Sequence, residues 1–217
     1  MDGSQRIDKL DMMNTDKKTS RFLGAAFLLQ AIASFISGLI LFQPLIVPGN
    51  ISESLSNISD NPMQLLGSIV GEMFTAIGVI MLGVLMYAIL KRINRDIALI
   101  GMGLYIVEAA ILVISRIPTF ALLKISEESV ANVYPSSLQT LANLCYETQE
   151  FGYTIHMLFF GLGATLFYYL FLKSGYLPKF LSIWGIIAAP LAFIGTLIVL
   201  FGMRYPSPFS YQTFPLS

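Results

Sequence analysis

The sequence predicts an all-α fold: an integral membrane bundle of five transmembrane helices, with a short additional helix on the outer side. Three observations predict it. Of 217 residues, 55% are hydrophobic and only 12% charged, against about 25% charged in an average soluble domain. The apolar residues gather into five runs, at 21–43, 63–90, 97–123, 151–173 and 179–203. Each run is long enough to span, because ~20 residues rising ~1.5 Å each cover a ~30 Å hydrocarbon core. Finally, lysine and arginine are sorted between the connecting segments rather than scattered along the chain.

That sorting sets an expected orientation. The N-terminal segment holds Arg6, Lys9, Lys17, Lys18 and Arg21; the turn after the second run holds Lys91, Arg92 and Arg95; the turn after the fourth holds Lys173 and Lys179. The opposite side holds Lys124 and Arg204, among Glu53, Asp60, Glu127, Glu128, Glu147 and Glu150. Basic residues retained on one side mark the cytoplasmic face. The sequence thus predicts a multi-pass plasma-membrane protein with a cytoplasmic N-terminus. Residues 1–20 form a polar cytoplasmic segment, 21–203 one bundle domain, and 204–217 an irregular tail. The first 20 residues lack the basic and apolar regions of a cleavable signal, so the first span is expected to stay as an anchor. A net charge of +0 leaves no basic footprint for nucleic acid.

In chain order, the first span carries Gln30, Ser34 and Ser37 on one stripe, a pattern that suits helix–helix packing. Residues 44–62 read as an outer loop holding Pro48-Gly49-Asn50 and two glycosylation-type sequons, Asn50-Ile51-Ser52 and Asn57-Ile58-Ser59. The second span has a small and polar stripe, Gln64, Ser68, Gly71, Glu72 and Thr75, in its outer half. In the third, Pro118 is expected to kink the helix near Ile114, whose carbonyl it frees, with Arg116 or Ser115 satisfying that carbonyl. Residues 138–150 read as a helix leading into the fourth span, along which Tyr146, Gln149, Tyr153 and His156 form a stripe. Pro190 is expected to interrupt the fifth span. Cys145, the single cysteine, excludes an internal disulfide and reads as a packing residue.

The candidate site is the set of ionisable residues inside the spans: Glu72, Glu108, Arg116 and His156. A charge near the bilayer centre costs roughly 2.5–3.5 kcal/mol on insertion scales, so such groups face one another, a cavity or water. Counted from the outer ends at ~1.5 Å per residue, Glu72 lies ~13 Å down, Arg116 ~12 Å and His156 ~8 Å, with Glu108 ~12 Å deeper than Arg116. The expected polar pocket therefore lies in the outer half and comprises Glu72, Glu108, Arg116, His156, Tyr153, Gln149, Tyr105, Ser68 and Thr75. Arg116 is expected to pair with Glu72, because it keeps its proton and needs a counter-ion. Glu108 is then expected to be protonated and hydrogen-bonded to Tyr105 or Ser115.

Several readings of this group stay open. The Glu72–Arg116 pair would fix packing only; or the pocket would bind a small or lipid-like ligand; or Glu108 and His156 would serve small-solute or proton-coupled transport. A metal site of Glu72, Glu108 and His156 is chemically allowed, but no metal-ligand spacing supports it and Arg116 opposes it. No catalytic motif is present, which leaves a membrane-embedded enzyme acting on a lipid-like substrate in third place. The reading adopted is a binding or structural membrane protein, with no cofactor, no metal and no nucleic-acid partner. Its partners would be the lipid bilayer and a small or lipid-like ligand.

The stretch Phe159-Phe160-Gly161-Leu162-Gly163, followed by Leu170 to Lys179 with its Ser174-Gly175-Tyr176-Leu177-Pro178, resembles the domain-of-unknown-function 4386 family. Leu45-Ile46-Val47-Pro48-Gly49 and Tyr87 to Arg95 are similar too, and the resemblance covers most of residues 18–203. It implies a prokaryotic multi-pass membrane protein and brings no reaction and no catalytic residues. It also implies a sixth span after the proline-bearing one, which residues 204–217, rich in proline, serine and aromatics, are not expected to form. A groove left by that missing helix would suit a second copy, which leaves a homo-oligomer open.

Overall fold

The computed structural model describes residues 22–128 and 134–202. The polar N-terminal segment 1–20, Arg21 and the tail 204–217 with Arg204 lie outside them. Among the described residues there are five helical stretches long and apolar enough to cross a membrane: Phe22–Leu45, Pro62–Leu90, Arg95–Ser126, Ser136–Ser174 and Lys179–Leu200. Helix α1 is Phe22–Leu45, α2 Ile51–Asp60, α3 Pro62–Leu90, α4 Arg95–Ile114, α5 Arg116–Ser126, α6 Ser136–Ser174 and α7 Lys179–Leu200.

Local chemistry explains where these helices start and stop. Pro62 opens α3 at its first turn, where a missing N–H costs nothing. Asn94 caps α4, its Oδ1 accepting from the Ile97 amide at 3.0 Å. Gly175 closes α6 with φ 69°, a left-handed conformation that glycine adopts without steric penalty. Ser115 separates α4 from α5, at the break that Pro118 predicts. The serine does not satisfy the Ile114 carbonyl as expected; its hydroxyl donates to the Ile111 carbonyl at 2.7 Å.

Helices α3, α4 and α6 form the centre. Ala76, Val79, Leu82, Tyr105, Leu112 and Phe167 make one buried cluster there. At the end of the bundle that carries α2, a second cluster joins Leu45, Leu55, Ile58, Leu65, Leu122 and Ala142. Helix α1 leans on α3, and α7 on α6. The close approach of α1 needs Gly71, since a Cβ there would lie 2.6 Å from the Ser37 Cβ; small residues at such crossings let membrane helices pack by contact. Outward faces are apolar, as at Leu29, Phe74, Trp184 and Leu191.

Two expectations need correction. Residues 44–62 are not simply a loop, for Ile51–Asp60 is helical. Asn50 starts that helix: its Oδ1 accepts from the Glu53 amide at 3.1 Å and its Nδ2 donates to Glu53 Oε2 at 2.9 Å. Leu55 and Ile58, one turn apart, bury its inner face. The helix expected at 138–150 does lead into the fourth span, as the first part of the 39-residue α6. Pro190 does not interrupt the fifth span, since α7 runs through it unbroken. Membrane helices tolerate such a proline where neighbouring groups re-satisfy the freed carbonyl.

A candidate polar site beside the α4–α5 break

The break at Ser115 positions Arg116, the first residue of α5. Helix α6 comes close at this point because residue 152 is glycine. A Cβ on Gly152 would collide with the Ser115 side chain. The approach brings Gln149, Glu150, Tyr153 and His156 of α6 beside Arg116. Gln149 is 3% exposed. With its amide oriented to satisfy both ends, its oxygen accepts from Arg116 Nη2 at 3.3 Å and its nitrogen donates to Glu150 Oε1 at 3.1 Å. Tyr153 stands edge-on to His156, with ring centroids 4.5 Å apart. Tyr153 is 48% exposed and forms the rim, whereas His156 is 6% exposed and lies inside.

Glu72 and Arg116 do not form the expected ion pair. Among the described residues the one salt bridge is Lys124–Glu127 at 2.9 Å, on the surface. The physical reason is directional. Glu72 turns toward α1, where its Oε1 accepts from the Ser37 hydroxyl at 2.9 Å and lies over Gly38. Ser37 and Gly38 fall in the stretch Ile36–Phe42, where α1 widens to π-helical geometry; such widenings often sit at functional positions. Arg116 turns toward α6 instead. Glu72 and Glu150 are still near enough for their charges to act on Arg116, and Arg116 acts in the same way on His156. Among the described residues Arg116 Nε is buried without a hydrogen-bond partner; His156 Nδ1 meets none at good geometry, although the Tyr153 backbone is near enough to act on the ring.

The other residues of the expected pocket separate. Ser68 and Thr75 are buried, but their hydroxyls bond back to the Leu65 and Gly71 carbonyls of their own helix, at 2.7 and 3.1 Å. Tyr105 belongs to the apolar centre, edge-on to Phe167 at 5.2 Å. Glu108, 4% exposed, is not bonded to Tyr105 or Ser115 as expected, and its Oε2 has no partner among the described residues. The carboxylate–histidine trio Glu72, Glu108 and His156 is not gathered: no group of three His, Cys, Asp or Glu among the described residues could hold a metal. Sequence reasoning missed three contributors, namely Ser37, Glu150 and Gly152. Ser37 was visible as the end of the first-span stripe, and Gly152 precedes His156 by one helical turn, which signals a close approach on that face.

A cavity of about 370 Å³ opens elsewhere, between the start of α1, the last turns of α3, the second half of α6 and the α6–α7 turn. It is lined by apolar and aromatic side chains, including Phe27, Ile89, Tyr105, Phe167 and Leu177. The polar group around Arg116 does not line it.

Among curated proteins and among solved structures, no match to this chain is found. The family model of a domain of unknown function (DUF4386) matches residues 22–216, nearly the whole length, and the chain belongs to that family.

Proposed function

We propose that this protein is a multi-pass plasma-membrane protein that binds a small anionic or lipid-like head group at Arg116, in the half of the bundle carrying α2. That half faces outward if the basic turns at Lys91–Arg95 and Lys173–Lys179 are cytoplasmic. One observation supports the reading above the others: Arg116 is 5% exposed, and among the described residues no carboxylate is in salt-bridge contact with it and its Nε is unpartnered. Glu72 and Glu150 act on this charge only from a distance, and a buried charge without a direct counter-ion is costly. An incoming carboxylate or phosphate would offset that cost through charge-assisted hydrogen bonds. Gln149 would hold the guanidinium in place, and Tyr153 and Glu150 would form the rim. His156 would offer Nδ1 to the same ligand.

Transport is the weaker reading. From Glu108 toward the basic turns the buried side chains are apolar, among them Leu82, Met86, Leu90, Ala98, Phe167 and Leu170, and no second charged side chain is buried there among the described residues. The test uses purified full-length protein in a neutral detergent. Acetate and inorganic phosphate are titrated at fixed ionic strength against chloride while thermal unfolding is followed. Stabilisation by either anion, lost in Arg116→Gln, is the expected result. No stabilisation, or stabilisation that survives Arg116→Gln, overturns the site.

A further inference from the structure

We propose that the 370 Å³ cavity is a second, separate binding site, one that takes an acyl chain of an anionic phospholipid from the leaflet at the basic end. The size fits a chain segment, being on the order of a dozen volumes of ~30 Å³, each the share of one water molecule. The lining fits too. Phe27 of α1, Ile89 of α3, Phe167 and Phe171 of α6, and Leu177 of the following turn surround it. Such a wall offers little to a polar ligand, since specific polar sites need convergent donors or acceptors. The space is real on the α1 side, where a Cβ added to Gly24 would meet nothing within 4 Å.

Charge identifies the head group. Lining residues Ile89, Phe171 and Leu177 are followed within two or three positions by Arg92, Lys173 and Lys179. All three basic residues are exposed, and none forms a salt bridge among the described residues. Lys173 is held with its Nζ 4.6 Å over the Tyr169 ring. The mouth of an apolar cavity is thus flanked by free cations at the level where lipid head groups lie. Basic residues next to membrane spans attract anionic lipids, while aliphatic chains supply the apolar burial. An annular lipid would touch one helix face. This chain would be held between α1, α3, α6 and the Tyr176–Leu177 turn.

The experiment reconstitutes the full chain in phosphatidylcholine vesicles with a minority of phosphatidylglycerol bearing a diazirine in one acyl chain. After irradiation the labelled peptides are mapped. The expected result is several-fold more label on Met86, Ala164 and Phe167 than on the outward residues Trp184 and Leu191. Ala164→Phe should reduce the inner label several-fold. Gly24→Leu fills the same space from the open side and should do likewise even if Ala164→Phe fails to fold. The pair Lys173→Gln with Lys179→Gln should lower labelling by phosphatidylglycerol but not by a diazirine phosphatidylcholine. Uniform labelling of inner and outer residues overturns the site. Equal inner labelling by the two probes in the native chain overturns the anionic-lipid assignment.

Discussion

The two ends of this bundle bury different things by different means. Around Arg116, at the α2 end, polar side chains are packed so that most meet a neutral partner: Ser37 for Glu72, Gln149 for Arg116. Around Phe167 and Tyr105, at the other end, the interior is aromatic and aliphatic and contains a cavity. In a membrane the apolar end gains little from leaving solvent, because lipid is as apolar as leucine, so it depends on van der Waals contact. The polar end depends on hydrogen bonds whose donors have no water to fall back on. The difference teaches that filled volume governs one end and orientation the other. Each end should therefore fail in its own way.

The largest effect is expected from Phe167→Ala. Phe167 is 1% exposed and packs on Tyr105 and Gly101. Removing a buried phenyl costs about 3–5 kcal/mol in soluble cores through lost contacts and the cavity left behind. Thermal unfolding in detergent should show a loss near the lower end of that range. A loss under about 1 kcal/mol would mean that contact does not hold this end together.

Gly152→Ala comes next, at the polar end, with an expected cost of about 1–3 kcal/mol from overpacking. Its Cβ would run into Ser115, so α6 must back away and Gln149 must leave Arg116. Adding Ser115→Gly should recover much of the loss, which thermal unfolding of the double variant will show. If it does not, the close crossing at the α4–α5 break is not what seats the arginine.

Much of this architecture was legible in the sequence. Apolar run length identified the spans, and Pro118 located the break at Ser115, since both rest on local backbone chemistry. That Glu72 and Arg116 come near one another was also legible, because rise per residue is fixed and the Glu72 charge acts on Arg116. Their pairing was not. Depth says nothing about azimuth, and Arg116 follows a break that reorients the helix after it. Helix α2 was missed for another reason: its turn-rich start, Pro48-Gly49-Asn50, masked the Asn50–Glu53 cap that begins a helix. Tyr105 was assigned to the polar pocket from its position on the Glu108 face, yet it packs on Phe167 and Gly163.

The separation of Glu72 from Arg116 can be measured by two double-mutant cycles on thermal stability. Ser37→Ala with Glu72→Gln removes a direct buried bond at 2.9 Å. Hydrogen bonds to a charged group contribute about 1.5–3 kcal/mol, and those between neutral groups about 1. Glu72→Gln with Arg116→Gln removes only an indirect influence. The first coupling should exceed the second. A larger Glu72–Arg116 coupling would restore the ion pair that the geometry lacks.

The smallest effect tests whether the two ends are separate at all. Asn50→Ala removes the cap of α2, for which about 0.5–2 kcal/mol is expected. Helix α2 closes the polar end by burying Leu55 and Ile58 against Leu65, Leu122 and Ala142, and has no part in the Phe167 cluster. Local opening free energies differ across a structure and can be read by amide hydrogen exchange. Exchange should therefore rise through α2 and the start of α3, while the amides around Leu82 and Phe167 keep their protection. Equal acceleration at both ends would show one cooperative unit in which volume and orientation cannot be told apart.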